Sequence, residues 1–194
     1  MKLLRPMFDV FRGTQRKPTL ILLSSSVLML VWKYYGAPEF VAGQWGDAAS
    51  DGLVAGAVVS FLGCFLLLGL LPALMVKLVF RECLRDYGVG LGIPLLTGRT
   101  LALLAPVFLL AAYGASTDPQ ILAKFPINPR AGTSAAMFAL HASTYFLFYV
   151  GWEFHFRGFL LFGLRSSLGD VNAVLIQTMA SALLHIGGPA SETF

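Results

Sequence analysis

Charge is scarce in this sequence. Charged residues make up 12% of the 194, where soluble domains average about 25%. A soluble fold of this size has no way to clothe its surface from so few polar side chains. The formal charge of +4 is small, and the basic residues gather at the ends of apolar runs. That arrangement suits anionic lipid headgroups and excludes a nucleic-acid footprint. Cysteine is nearly absent. Cys64 lies in an apolar run and Cys83 in a charged connection, and no C-x-x-C pair marks a disulfide framework or zinc knuckle. There is no internal repeat, no low-complexity tract and no barrel-type alternation.

Long hydrophobic runs take the place of charge. Apolar residues reach 57% and mean hydropathy is +0.74. Met1 to Lys17 is basic with apolar residues at helical spacing, which predicts an amphipathic helix on the membrane surface. Thr19 to Trp32 reads as an uncleaved first span with Lys17 and Lys33 snorkelling at its ends. Leu53 to Val76 is a second span, long enough for about 30 Å of hydrocarbon. The connection Lys77 to Arg99 carries RECLRDYGVGLG and reads as a loop at headgroup depth. Thr100 to Ser116 is a third span, kinked at Pro106. Asp118 to Arg130 holds three prolines and is expected outside the membrane. Ala131 to Leu164 is a fourth span, RSSLGD a tight connection, and Val171 to Ile186 a fifth. The fold class is all-α: a polytopic transmembrane helical bundle of about five spans, forming one integral-membrane domain over 1–194. Basic residues crowd before the first span and between Lys77 and Arg99, so the positive-inside rule puts the N-terminus in the cytoplasm of a multi-pass cell-membrane protein.

The fourth span contains GWEFHFRGFLLFGL, with Glu153 and Arg157 inside an apolar run. A charge near the bilayer centre costs roughly 2.5–3.5 kcal/mol on insertion scales, so such residues mark candidate sites. On a helix the two stand roughly 40° apart and form an ion pair. His155 falls on the opposite side, sharing a face with Gly151 and Gly158, the signature of a close helix contact. The RSSLGD turn sets His185 opposite roughly residue 151, with Ser181 and Gln177 on the same face. A carboxylate, a guanidinium and an imidazole are the equipment for hydrolysing an amide. The glutamate is a general base on water, the arginine holds the carboxylate, and the histidine stabilises the oxyanion. The bland alternatives are a structural ion pair at Glu153 and Arg157, an interfacial histidine at 185, and packing roles for His141 and His155. No H-E-x-x-H motif is present, and Glu153 and His185 supply fewer than the three protein ligands a catalytic zinc takes. No metal is expected, and no cofactor is specified.

WEFHFRGFLLFGL followed by SALLHIGGPASETF resembles the CAAX-protease and abortive-infection family of intramembrane proteases, the CPBP family. Its motifs are E-E-x-x-x-R, often continuing into F-R-G, and F-x-x-x-H; RECLRDYGVGLG resembles a segment preceding the core in a prokaryotic branch. The likeness spans roughly Arg81 to Phe194, with 131–194 similar to the start of the family's core. It implies catalytic roles for Glu153, Arg157 and His185, and a membrane-associated peptide or protein substrate. The family is described both as metal-dependent and as a glutamate peptidase. Trp152 occupies the place of the first motif glutamate, and Ser181 that of the second motif's aromatic. A third motif, H-x-x-x-N or similar, falls beyond Phe194, so the sequence is expected to be a truncated member.

The function expected is therefore an intramembrane endopeptidase. Two other classes stand beside it: a non-catalytic immunity or abortive-infection factor, and a small transporter relaying ions through the charged pair. The lack of matched repeats counts against the transporter.

Overall fold

The computed structural model of the chain describes residues 11–44, 50–90 and 92–186. Most of the amphipathic segment expected over Met1 to Lys17, and the end of HIGGPASETF, lie outside the described residues. Within them every regular element is helical.

The first helix, α1, spans Arg16–Tyr35. Its run of leucines is interrupted by three serines; two of the hydroxyls find partners inside the helix, while Ser25 Oγ is buried without one. Ser24 Oγ donates to Leu20 O at 2.6 Å and Ser26 Oγ to Leu22 O at 2.8 Å. In hydrocarbon each unsatisfied polar group costs several kcal/mol, so such internal bonds are what lets serine enter a span. A short helix, α2 (Pro38–Gln44), then leads to α3, which runs over Asp51–Phe80.

Helix α3 is not uniform. It is α-helical over Ser50–Cys64, but widens into π-type turns at Phe65–Leu70 and again at Met75–Phe80. Between them lies Pro72, which lacks an N–H and crowds the carbonyl of the preceding turn. Wide turns on either side are one way a helix absorbs that lesion. Arg81, in the left-handed conformation at φ 60°, ends it.

Helix α4, Pro94–Ala115, opens with proline at its first position, where no N–H is needed. It starts earlier than the sequence suggests. The expected loop of Lys77 to Arg99 is in fact short: helix runs to Phe80, a single 3-10 turn covers Leu84–Tyr87, and Arg99 already lies inside α4. The segment after it is also partly helical, with α5 at Pro119–Lys124 capped by Asp118, whose carboxylate accepts from the Gln120 amide at 2.8 Å. Arg130 pairs with Asp51 at the start of α3.

Helix α6, Ala135–Glu153, is capped by Ser134 and continues without a break through π-type turns at Phe154–Phe162 and a final α-helical stretch, Gly163–Leu168. Gly169 alone separates this from α7, Asp170–Leu184. Arg165 and Asp170 bracket the turn with a two-pronged pair at 2.9 and 3.2 Å.

Among the described residues, three helices are long and apolar enough to cross a membrane: Gly13–Tyr35, Asp51–Phe80 and Pro94–Ala115. Helix α7 is apolar but shorter. Helix α3 packs along α6, α7 folds back onto the Phe154–Phe162 turns, and α1 lies across the π-type turns of both α3 and α6. Where α3 meets α6, a glycine faces a glycine. A Cβ on Gly69 would come 2.9 Å from Gly151 Cα, and one on Gly151 would come 2.7 Å from Phe65 Cα. Cβ atoms do not tolerate such distances, so the absence of side chains is what allows this approach. Around the crossing Phe156, Phe159, Leu68, Cys64 and Leu160 are buried. In lipid there is little hydrophobic drive between helices, and close packing is what holds them.

Candidate functional site

The π-type turns after Glu153 divide the α6 extension into two faces. His155, Phe156, Gly158, Phe159 and Leu160 point inward, together with Gly151 and Trp152 just before them. Glu153 and Arg157 point outward. Their ion pair forms as spacing dictates, with Arg157 Nη1 3.2 Å from Glu153 Oε1. It is not enclosed by protein, however: the two side chains are 53% and 50% exposed. Exposure follows from the inward face being filled already by aromatic rings and His155.

His155 is fully buried, on the face shared with Gly151 and Gly158. It packs against Phe156 and Phe159, with ring centroids 5.2 and 6.0 Å away. His141 stacks on Tyr145 at 5.4 Å and tilts against Phe61. Both sit among rings.

His185 caps the C-terminal end of α7. Its Nδ1 lies 2.9 Å from Ser181 O. A carbonyl only accepts, so Nδ1 carries the hydrogen and Nε2 is the nitrogen left for another partner. The ring stands edge-on to Trp152, centroids 5.7 Å apart and planes at 87°. The α6–α7 hairpin thus brings His185 to the turn that contains Glu153, and the residue it meets there is Trp152. Gln177, about two turns back on α7, gives its amide to Thr178 Oγ1 at 2.7 Å.

Trp152 and His185 form part of the wall of a cavity of about 670 Å³. Trp32 and Lys33 of α1, Phe61 of α3, Lys124 of α5, and Tyr145, Phe148 and Tyr149 of α6 line it as well. The rings interlock: Trp32 lies 5.8 Å from both Phe148 and Trp152, and Phe148 stacks on Trp152 at 5.6 Å. Trp32 donates its indole N–H to Ser60 O at 3.2 Å. Lys33 reaches across to donate to Leu184 O at 2.9 Å, beside His185. Cavities of roughly 300–1,000 Å³ with apolar walls and a few placed polar groups are the usual form of small-molecule sites.

Lys33 and Lys17 are what sequence reasoning missed here. Lys33 reads as a snorkelling lysine at the end of a span; its partner is 151 positions away, and no local signal announces it. Lys17, at the other end of α1, also has a protein partner. It pairs with Glu82 through two contacts of 3.0 and 2.7 Å, and Tyr87 donates to the same carboxylate at 2.6 Å. Burial pushes the Glu82 carboxyl up, but the bonds from Lys17 and Tyr87 and the Lys17 charge outweigh it and hold the group below its ordinary value. Burial, then the bond to Glu82, raises the Tyr87 phenol.

Among the described residues no cluster of three metal-ligating side chains occurs. No family model matches the chain, and no curated protein or solved structure is similar to it.

Proposed function

We propose that this chain is a five-span membrane protein with a cytoplasmic N-terminus, and that it hydrolyses a peptide bond of a membrane-associated substrate. The single observation that supports the reading is the α6–α7 hairpin, which sets His185 against the helical turn bearing Trp152 and Glu153. The fourth and fifth spans of this reading are α6 with its extension and α7. In this mechanism Glu153 takes a proton from water as the water oxygen attacks the scissile carbonyl carbon. The oxyanion that forms is met by His185. Since Nδ1–H is engaged with Ser181 O, His185 serves this role as an imidazolium donating from Nε2. Collapse of the intermediate breaks the C–N bond, and the proton held by Glu153 passes to the leaving amine. Arg157 holds the Glu153 carboxylate in place through the ion pair. No metal takes part in this reading.

One observation favours a second reading. The bulky Trp152 ring, and not a carboxylate, is what faces His185. A protein that binds without cutting, as an immunity or abortive-infection factor does, has no need of a second acid there.

The two readings separate in proteoliposomes given a library of membrane-inserted peptides, with new termini read by mass spectrometry. Hydrolysis predicts cleavage by the wild type and a loss of about 10²–10⁴ in rate for Glu153→Gln, the usual worth of general-base assistance. Wild-type rates in Glu153→Gln refute the mechanism. No cleavage by either protein favours the binding reading.

A further inference from the structure

The 670 Å³ cavity has an uneven chemistry. Its walls are rings, from Trp32, Phe61, Tyr145, Phe148 and Trp152. The fully charged side chains lining it, among the described residues, are two lysines, Lys33 and Lys124, with His185 beside them. Glu153 and Arg157 do not belong to its lining.

We infer that the cavity binds an anionic amphiphile, a molecule with one negatively charged head and one apolar chain, drawn from the bilayer. Three features carry this. First, cations and rings share one space: Lys33 projects from the last turn of α1 and Lys124 from the end of α5, where it lies over the Phe125 ring at 5.3 Å, while the aromatic wall extends along α6 from Tyr149 back to Tyr145. A bare anion has no use for such a wall, and a neutral apolar molecule none for the lysines. Second, the anchoring of Lys33 is partial. Its Nζ donates to Leu184 O, which uses one of three N–H groups and leaves the ammonium with its charge and two donors for a head group. Third, His185 Nε2 remains available next to Leu184, adding a polar contact near the same head position. The volume falls in the range that encloses most of a drug-sized ligand. A carboxylate and a phosphate head share this chemistry. The proposal goes beyond peptide hydrolysis and does not rest on it.

Trp32 and Trp152 both lie in the wall, which supplies a direct readout. With Trp45 replaced by Phe, the remaining tryptophan fluorescence reports on the cavity alone. The protein in nanodiscs of zwitterionic lipid is titrated with four bromine-labelled amphiphiles of equal chain length: a fatty acid, a lysophosphatidic acid, a lysophosphatidylcholine and a fatty alcohol. Saturable quenching by one or both anionic amphiphiles, at least tenfold tighter than by the other two, is expected. Quenching by the fatty acid alone names a carboxylate head; quenching by the lysophosphatidic acid alone names a phosphate. Lys33→Gln should weaken the anionic ligands at least tenfold and leave the alcohol unchanged, and Lys33→Arg should restore most of the affinity if loss of charge is the cause. Equal quenching by all four, or an affinity indifferent to Lys33→Gln, overturns the proposal. The same titration on Glu153→Gln separates it from hydrolysis: binding there should persist whether or not any peptide is cut.

Discussion

Trp152 and His185 meet edge to face across the α6–α7 hairpin, with ring centroids 5.7 Å apart. The contact decides what kind of group the histidine sees. Position 152 lies on the inward face and position 153 on the outward one, so a carboxylate moved from 153 to 152 would change faces.

The register of that hairpin hangs on one residue. Gly169 has φ 78° and ψ 163°, a region essentially reserved for glycine, and open space surrounds its Cα. Gly169→Ala therefore acts through the backbone alone. A cost of about 1–3 kcal/mol is expected, with a shift in the Trp152 emission as His185 moves. Unaltered thermal stability together with an unaltered spectrum would show that the turn accepts a side chain.

Gly151→Ala attacks the other contact of the same helix. The new methyl would press on Phe65 Cα and Cys64 O, both backbone, so nothing flexible can yield. Overpacking of this kind costs typically 1–3 kcal/mol. Gly132→Ala, where no atom lies within 4 Å, is the control and should be silent. Equal melting temperatures for the two variants in detergent would mean that α3 and α6 do not cross closely.

Acid should loosen the Lys17–Glu82–Tyr87 contact. The Glu82 carboxyl is held below its ordinary 4.5, so its contribution to stability is complete above that value and is lost as pH falls through the lowered one. The difference in melting temperature between wild type and Glu82→Gln should therefore be steady near neutrality and shrink towards pH 3. A difference that stays constant over that range would dissociate Glu82 from the effect.

Cys83 offers a test of orientation that needs no added residue. It is exposed, and it adjoins Glu82, whose contact with Lys17 ties this connection to the start of α1. With the N-terminus cytoplasmic, a membrane-impermeant maleimide should leave Cys83 unmodified in intact cells and modify it after permeabilisation. Labelling in intact cells would invert the topology.

The apolar helices were legible because hydropathy is a local property: α1 and α3 contain the expected runs and extend them by a few residues at either end. The burial of His155 was legible too, since Gly151 and Gly158 mark a face at helical spacing. Glu153 and Arg157 pair as their spacing implies, yet their exposure was not readable, because it depends on how much aromatic volume the opposite face already encloses. The π-type turns left no clear trace, apart from Pro72 between two of them. The contacts of Lys17 and Lys33 were invisible for a simpler reason. Their partners are 65 and 151 positions away, and a charged residue at a span end looks the same whether it meets a headgroup or a carbonyl.

Helix α4 buries none of its residues against the rest of the molecule. What specifies it, then, is solubility in hydrocarbon and not the shape of any side chain. Its spelling is correspondingly free: exchanges among leucine, valine and phenylalanine along it disturb no buried contact, and its length, Pro94 at its start, Pro106 within it and the absence of added charge carry the information. Nearly all of the chain's shape-dependent meaning is concentrated elsewhere, in the glycines and rings of α3 and α6.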